Sequence, residues 1–321
     1  MKWHDSLTTR KKSELCQQVL ARHCHSLEPE TNTLCSRSNT GFFSNCSHSL
    51  WCLLELANLG VFPRTLGFST AFHNYKDPES SLDVYPRFFT TDDFVVESIK
   101  STVAPYHRLR CPDHHGFYAI FPYQELNPFI RAYFSPSQRV KALSLETMQN
   151  YDVVFSNTIA ICYRGTDKAT EVLLADPAKY VKEALRLRKP GMRVLVQTDQ
   201  EQVKRQLLES IDNSFAFEEM PTTTGKTVLH GLDGDVLGMK KLAFGERLLS
   251  TAYMLSKCRF IVNHSGNMAA WICLLRGNAN GVSQFDKHGN LVGPRHILKG
   301  YAKNTYRKMR RFIRNDVSCY T

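Results

Sequence analysis

The chain has 321 residues, of which 42% are hydrophobic and 22% are charged, and these proportions are typical of a globular protein. They exclude a collagen-like, a low-complexity or a disordered chain, and at about 150 residues per domain the length predicts two domains or one large one. The net charge of +11 favours an anionic partner, such as nucleic acid, a phosphorylated small molecule or an anionic membrane surface.

No apolar run reaches the roughly 18 residues of a membrane-spanning helix, and the first residues lack the apolar region of a secretory signal. We therefore expect a cytoplasmic protein. The 10 cysteines include no Cys-x-x-Cys pair, so we predict reduced thiols, several of them buried. Two groups of metal-ligand residue types, Cys16 with His23–His25 and Cys111 with Asp113–His115, lack zinc-finger spacing. We predict loop or core residues there and expect no metal.

Residues 1–36 are polar and are predicted to form an N-terminal extension with one helix, Ser13–Ala21. The glycine turn that begins at Gly41 and includes Asn45 leads into leucines with helical spacing, and this helix ends near Leu59. A glycine turn that opens a helix presents free backbone N–H groups to whatever lies above it.

The first domain is predicted to span residues 37–154. It has a strand at Val61–Phe68, followed by the stretch His73–Pro136, which is rich in aromatic residues, Pro and His and has weak periodicity. We predict loops and short helices there. Some of its aromatic side chains could stack on sugar rings, although more are expected in the core. These side chains are Phe117, Tyr118, Phe121, Tyr123 and Phe129.

Strands alternate with helices over residues 155–296, which predicts a doubly wound α/β domain with a parallel sheet. The predicted strands are Thr158–Tyr163, Arg193–Thr198, Phe215–Glu218 and Arg259–Asn263. One predicted helix has Asp176 as its N-cap and Pro177 as its first residue. The others span Gln200–Ile211, Glu246–Lys257 and Asn267–Leu275, and Gly277 caps the last of them. Ligands bind beyond the carboxyl ends of the strands of such sheets, so the loops that follow these strands are the candidate sites.

The loop after the first of these strands carries Arg164, Asp167, Lys168 and Glu171. Arg can bind two phosphate oxygens at once, whereas Lys acts as a point charge. We predict an anion site with Asp167 orienting Arg164, and the alternative is a surface ion-pair network.

The turn Ser265–Asn267 lies between the last strand and its helix, and it is predicted to be a second anion site. The alternative is a plain helix cap. Two such loops on neighbouring strands would together hold a diphosphate. Asp199, at the end of the strand between them in sequence, would then bind a ribose hydroxyl or a base edge.

The segment 297–321 concentrates the positive charge, with seven basic and no acidic residues between Lys299 and Arg314. Its apolar residues lie on one stripe of a predicted helix. A packed helix with a solvated basic face is the first interpretation, and weak contact with an anionic membrane is the second. Binding to nucleic acid would depend on this segment alone, and we expect none.

Three stretches resemble, in order, motifs of the fucosyltransferase-like superfamily, which includes α1,6-fucosyltransferases and O-fucosyltransferases. The first reads ICYRGTDKATE here and roughly VHVRRTDK in α1,6-fucosyltransferases. The second, RVLVQTDQ, resembles their strand ending in ATDD, and the third, RFIVNHSGNMAAWICLLRG, resembles their final strand, Ser-rich turn and helix. The GFFSN turn is similar to the glycine turn that opens the first domain of many members. The resemblance covers residues 155–277 well and the N-terminal half loosely.

The resemblance implies a GT-B-like architecture, in which two Rossmann-like domains face a central cleft and the C-terminal domain is the more regular. It implies that the C-terminal domain holds a nucleotide sugar, while the first domain lies on the acceptor side. It also implies an inverting transfer of fucose from GDP-fucose to a glycan or glycoconjugate, without a metal or another cofactor.

By motif match, the resemblance implies that Arg164 binds the β-phosphate of the donor. Glu171 lies one residue closer to the motif lysine than the family's catalytic carboxylate, and it or a residue of the first domain would be the general base. The predicted donor-binding positions are Arg164, Asp167, Lys168, Asp199, Ser265, Gly266, Asn267, Gly41 and Asn45.

Some positions depart from the family motifs. Cys162 replaces the motif's His, Gly165 replaces its second Arg, and Ser250 and Thr251 stand where an aspartate that reads guanine is expected. These differences concern the base and the sugar rather than the diphosphate. The alternative function is a non-catalytic nucleotide- or carbohydrate-binding protein on the same scaffold.

Overall fold

The computed structural model describes residues 9–77, 80–102, 113–166, 172–225, 227–293 and 298. The elements of the first part of the chain are α1 (Thr9–Arg22), β1 (His25–Glu28), β2 (Thr33–Ser36), α2 (Phe42–Asn58) and β3 (Thr65–Gly67). Strand β2 pairs antiparallel with β1 and parallel with β3, so these strands form a small mixed sheet. The helix predicted after the glycine turn is confirmed as α2, which begins directly after Gly41.

The aromatic-rich stretch His73–Pro136 forms short helices, as predicted, and also two short strands that were not predicted. Its elements are α3 (Tyr85–Phe88), β4 (Phe89–Thr90), α4 (Asp93–Thr102), α5 (Tyr123–Tyr133) and β5 (Ser135–Pro136), and α6 (Gln138–Asn150) follows it. Strands β4 and β5 form a two-stranded antiparallel pair. Single 3-10 turns lie at His73–Tyr75, Tyr118–Ile120 and Phe155–Asn157.

The C-terminal half contains a five-stranded sheet in which every pair of neighbouring strands is parallel. Its strands are β6 (Thr158–Tyr163), β7 (Arg193–Thr198), β8 (Ser214–Phe215), β9 (Phe260–His264) and β10 (Val282–Phe285). Its helices are α7 (Pro177–Leu187), α8 (Glu201–Ser210), α9 (Gly234–Leu237), α10 (Lys241–Lys257) and α11 (Asn267–Arg276). The α/β class is confirmed, and the C-terminal half is the more regular.

Local sequence explains where several of these elements begin and end. The Asp176 side chain accepts a hydrogen bond from the Ala178 N–H at 2.8 Å, and Pro177 is the first residue of α7. Gly277 ends α11 with a φ of 78°, in the left-handed region that glycine adopts without strain. Helix α10 begins five residues before the predicted start at Glu246, and β10 was not predicted.

The sheet is buried on both faces because its strands alternate between two hydrophobic clusters. Ala160 and Cys162 lie in a large cluster that also contains side chains of α2, α5 and α11, whereas Ile159 and Ile161 lie in a smaller one with α7 and α8. Fully buried Trp271 of α11 lies in the large cluster, which therefore joins residues of both predicted domains. The division of the chain at residues 36, 154 and 296 stays a prediction.

The cysteines and the terminal segments complete the fold. Eight cysteines of the described chain are free thiols, and six of these are buried, as predicted. No helix among the described residues is both long and apolar enough to cross a membrane. The predicted basic helix of residues 297–321 lies outside the described residues, except for exposed Leu298.

Candidate functional site

The strand order β10-β9-β6-β7-β8 places the start of the parallel sheet, β6, at its centre. From β6 the chain runs to β7 and β8 on one side, and then returns to β9 and β10 on the other. Strands β6 and β9 are therefore the neighbours between which the direction of winding reverses, and open α/β sheets bind ligands beyond this point. Arg164, Asp199 and Ser265 each come directly after one of the three central strands.

Arg164 follows β6 and has about a quarter of its side chain exposed. Its Nε lies 3.5 Å from Oδ2 of Asp199, which is an ion pair across neighbouring strand ends. A guanidinium in this position is positively charged, partly shielded from water and still reachable by an anion.

Asp199 is buried and binds the loop that carries Arg164. Its Oδ1 accepts a hydrogen bond from the Gly165 N–H at 2.9 Å, and its Oδ2 accepts one from the Thr166 hydroxyl at 2.8 Å. Both carboxylate oxygens therefore position the loop in this conformation. The predicted contact of Asp199 with a ribose or a base stays a prediction.

Gly165 occupies a position with no room for a side chain. A Cβ built there would lie 2.0 Å from Oε1 of Gln200 and 2.8 Å from the Tyr163 ring. The Gln200 amide in turn donates a hydrogen bond to the Gly225 carbonyl at 3.0 Å. The space that a side chain at position 165 would need is thus filled by Gln200.

The Ser265 side chain faces the protein interior. Its N–H donates to the Phe285 carbonyl at 2.8 Å, and its hydroxyl accepts a hydrogen bond from the Gln284 amide at 3.0 Å. The residue is fully buried. The side chain therefore anchors the turn between β9 and α11 to β10.

Tyr118, from the N-terminal half, holds the next peptide of this turn. The Gly266 N–H donates to the Tyr118 hydroxyl oxygen at 2.9 Å and lies 3.1 Å from the His114 carbonyl. The hydroxyl hydrogen of Tyr118 faces the carbonyls of His264, at 3.1 Å, and of Gly266, at 3.2 Å. Burial raises the pKa of Tyr118 well above its ordinary value, so the phenol stays neutral.

The first turn of α11 carries the free amides of the site. Helix α11 has Gly266 as its N-cap, and the earliest helical hydrogen bond is donated by Ala270. Within the part of the chain that the structure describes, the N–H groups of Asn267, Met268 and Ala269 have no acceptor. Such amides, with the positive end of the helix dipole, favour an anion.

Helix α2 begins beside α11. The Trp271 indole N–H donates to the Ser47 hydroxyl oxygen at 2.9 Å, and the Ser47 Oγ lies 3.3 Å from Oδ1 of Asn267. The glycine turn of the N-terminal half is thus brought near the anion site. A Cβ at Gly41 would meet nothing within 4 Å, so the turn borders open space.

Asn45 closes the turn before α2. Its Oδ1 accepts hydrogen bonds from the Thr40 N–H at 2.9 Å and the Thr40 hydroxyl at 2.8 Å, and its amide donates to the Thr40 carbonyl at 3.1 Å. The side chain is fully buried. In this conformation Asn45 shapes the turn, and its predicted contact with the donor stays a prediction.

Three predicted site residues, Asp167, Lys168 and Glu171, lie outside the described residues. Among the described residues, no group of three or more His, Cys, Asp or Glu side chains is arranged to hold a metal. His25 was predicted to be a loop or core residue, and it is buried, with its ring nitrogens 2.7 Å from the His23 carbonyl and 3.1 Å from the Ser49 hydroxyl.

Sequence reasoning missed three side chains that shape the site. Tyr118 is one of the five aromatic residues for which sugar stacking and the core are the two predictions, Gln284 lies on a strand that was not predicted, and Ser47 lies inside a helix. Each has a partner more than 140 residues away in the chain, which for Gln284 is the Tyr118 N–H at 2.9 Å from its Oε1. No local pattern signals such a contact.

No family model and no curated protein matches the chain. Solved structures that are similar to it include the NodZ alpha-1,6-fucosyltransferase co-crystallized with GDP, at 15% identity and a TM-score of 0.47, covering 80% of this chain and 96% of that one. Fucosyltransferase NodZ from Bradyrhizobium is similar at 16% identity and a TM-score of 0.49, with the same coverage. The NodZ structure soaked with GDP-fucose has 16% identity and a TM-score of 0.46, covering 80% and 97%.

Proposed function

We propose that the chain is a glycosyltransferase that moves fucose from GDP-fucose to a glycan or glycoconjugate acceptor, with inversion and without a metal. One observation carries the proposal: the Arg164 guanidinium and the free amides of α11 follow adjacent parallel strands at the point where the sheet reverses its winding. A guanidinium and a row of amides are complementary to two linked phosphates. The sequence motifs add the class of sugar nucleotide.

The proposed chemistry is a single displacement at the anomeric carbon. The acceptor oxygen forms a bond to this carbon, while the bond from the carbon to the β-phosphate oxygen breaks and leaves its electron pair on the diphosphate. Glu171, or a residue of the N-terminal half, takes the proton of the acceptor hydroxyl as general base. The attack comes from the side opposite the diphosphate, so the anomeric configuration inverts.

Arg164 and α11 act on the leaving group. The departing diphosphate gains negative charge in the transition state, and preorganised donors stabilise that charge more than they stabilise the ground state. The loss of one such donor raises a barrier by about 2.7–4 kcal/mol in enzymes where it has been measured. Lys168 and Asp167, next along the same loop, would complete the site.

Nucleotide binding and turnover test the proposal separately. We expect GDP to raise the melting temperature of the protein, because a ligand that binds only the folded state stabilises it. We also expect release of GDP from GDP-fucose in the presence of a glycan acceptor. GDP-mannose and UDP-sugars in the same assay report how the base and the sugar are selected.

The outcomes distinguish the candidate functions. Stabilisation by GDP without release of GDP from any sugar nucleotide would assign the chain to the non-catalytic binding proteins. No stabilisation by any nucleoside diphosphate would remove the diphosphate site and with it the transferase.

A further inference from the structure

The loop that carries Arg164 is held from both neighbouring strands. On the β7 side, Asp199 accepts hydrogen bonds from the Gly165 N–H and the Thr166 hydroxyl. On the β9 side, the contact is made by His264, the last residue of β9, which is buried. Its imidazole lies between the backbone of Arg164 and the turn that leads into α11.

Each ring nitrogen of His264 faces one of the two anion-binding loops. The Nδ1 atom lies 2.9 Å from the Ser265 carbonyl oxygen. The Nε2 atom lies 3.0 Å from the carbonyl oxygen of Arg164 and 3.3 Å from its amide nitrogen. The same side chain thus contacts the residue after β6 and the residue after β9.

The chemistry of these contacts fixes part of the protonation of the ring. Both ring nitrogens face carbonyl oxygens, which only accept hydrogen bonds, so at least one of the nitrogens carries a hydrogen and donates it. An Nε2 that carries a hydrogen donates to the Arg164 carbonyl. A bare Nε2 accepts from the Arg164 N–H instead. In both states the ring binds the Arg164 peptide.

We propose that His264 is a positioning residue for the diphosphate, which sets the Arg164 peptide in place relative to the first turn of α11. This inference rests on the proposed function. Neither half of the site needs the imidazole in order to carry its charge or its amides. The imidazole is needed for Arg164 and the amides of α11 to face the same ligand. Asp199 also holds the Arg164 loop, but it follows β7, on the side of β6 opposite to β9 and α11.

Amide side chains can test which contact matters. The terminal amide of Gln lies where Nε2 of His lies, and the amide of Asn lies near the position of Nδ1. His264→Gln therefore keeps a group that can donate to or accept from the Arg164 peptide, whereas His264→Asn keeps only the contact with Ser265. His264→Leu keeps neither. His288→Leu, at an exposed position on another turn, is the matched control.

The readout is the dissociation constant for GDP, measured by titration calorimetry on the full chain, with the melting temperature as a check on folding. We expect His264→Leu and His264→Asn to weaken GDP binding about tenfold, and His264→Gln to return it to within about threefold of the parent protein. In a chain that already carries Arg164→Ala, His264→Leu should weaken GDP binding by less than about twofold, because the effects of two residues that act through one another are not additive. His288→Leu should change nothing.

Three results would overturn the inference. One is GDP binding by His264→Leu equal to that of the parent protein, and another is an equal loss in the presence and in the absence of Arg164. The third is rescue by Asn rather than by Gln, which would move the role to the Ser265 contact. Should His264→Leu fail to fold, His264→Gln and His264→Asn still give opposite expectations. If the parent protein binds neither GDP nor UDP, the proposed function itself fails.

Discussion

Arg164 is the residue on which the proposed transfer depends most. We expect Arg164→Ala to keep the fold, since the side chain is partly exposed and its ion pair with Asp199 spans 3.5 Å. Turnover should fall by about 10²–10³, because a donor that stabilises the departing charge is removed. The measurement is kcat for GDP release from GDP-fucose, together with the melting temperature.

Arg205→Ala is the matched control for this substitution. Arg205 is exposed on α8, and its loss removes the same net charge. Turnover within about twofold of the parent is expected for it. If both variants lost turnover equally, the effect would come from the net charge of the molecule and not from the site.

Gly165 and Gln200 form a second testable pair at the same loop. Gly165→Ala places a Cβ 2.0 Å from Oε1 of Gln200, so the glutamine must leave its position and lose its hydrogen bond to Gly225. We expect a loss of about 1–3 kcal/mol in the free energy of unfolding, measured by urea titration.

Gln200→Ala should recover part of that loss when it is combined with Gly165→Ala. The recovery should be incomplete, because the Tyr163 ring also lies 2.8 Å from the added Cβ. Additive losses in the double variant would show that the glutamine does not occupy the space that the alanine needs.

The residues of the site differ in how far the sequence could predict them. Arg164 could be found because a cation directly after a strand is visible in the sequence. His264 could not be found in this way, because its role depends on a β6–β9 contact between residues 100 apart in the chain. Ser265 was predicted to face a phosphate, yet its hydroxyl contacts Gln284 on a strand that the sequence did not reveal.

Among the elements, the turn between β9 and α11 depends on a segment from the other half of the chain. Tyr118 supplies the oxygen that accepts from the Gly266 N–H, next to the free amides of α11. Tyr118→Phe leaves the Gly266 N–H with only the His114 carbonyl as an acceptor, at 3.1 Å. It also removes the hydroxyl that donates a hydrogen bond to the surrounding carbonyls. We expect a loss of about 1–3 kcal/mol in the free energy of unfolding and weaker GDP binding.

Tyr253→Phe controls for the loss of a phenol hydroxyl elsewhere. Tyr253 lies on α10, where its ring packs under the Lys257 ammonium, and it is not part of the turn. Because burial holds the pKa of Tyr118 far above its ordinary value, the effect of Tyr118→Phe should not change with pH around neutrality. Unchanged stability and GDP binding would show that the His114 carbonyl suffices as the acceptor for the Gly266 N–H.

The elements of the C-terminal half could be predicted because buried parallel strands and capped helices have strong local signals. Strands β6 and β7 match their predicted bounds, and α7 begins at its predicted Asp-Pro start. Strand β8 is only two residues long, and β10 follows a glycine turn without a long apolar run, so their pairing is decided by the neighbouring strands. The N-terminal half lacked such signals because its strands are short.

At the scale of the whole molecule, the two halves share one hydrophobic core. The large cluster contains α2 and α5 from the N-terminal half and α10 and α11 from the C-terminal half. Trp271 of α11 contacts the ring of Phe134 at a centroid distance of 4.9 Å and that of Phe43 at 6.3 Å. A shared core couples the unfolding of the halves, so stability changes in one half should appear in a common transition.

This coupling makes the protonation of His25 a property of the whole molecule. Burial lowers the pKa of His25 to about 4, the hydrogen bond to the His23 carbonyl opposes this shift, and the charges of His23 and His48 add to it. The unfolded chain titrates near the ordinary value of about 6.5, so between these two values the unfolded state binds more protons than the folded one. Stability is therefore full above about pH 6.5, falls as the pH drops towards 4, and is about 2 kcal/mol lower at pH 5 from this group alone.

Replacing the histidine separates this contribution from the other titrating groups. His25→Gln keeps an amide that can hydrogen-bond Ser49, which His25 contacts at 3.1 Å, and removes the titration. Urea titrations at pH 7.5 and pH 5.0 give the difference in the free energy of unfolding between the two pH values. We expect this difference to be about 2 kcal/mol smaller in His25→Gln than in the parent protein. His288→Gln, which replaces an exposed histidine, should show the same difference as the parent. An equal pH dependence in His25→Gln and the parent would mean that His25 takes up a proton in the folded protein as readily as in the unfolded chain.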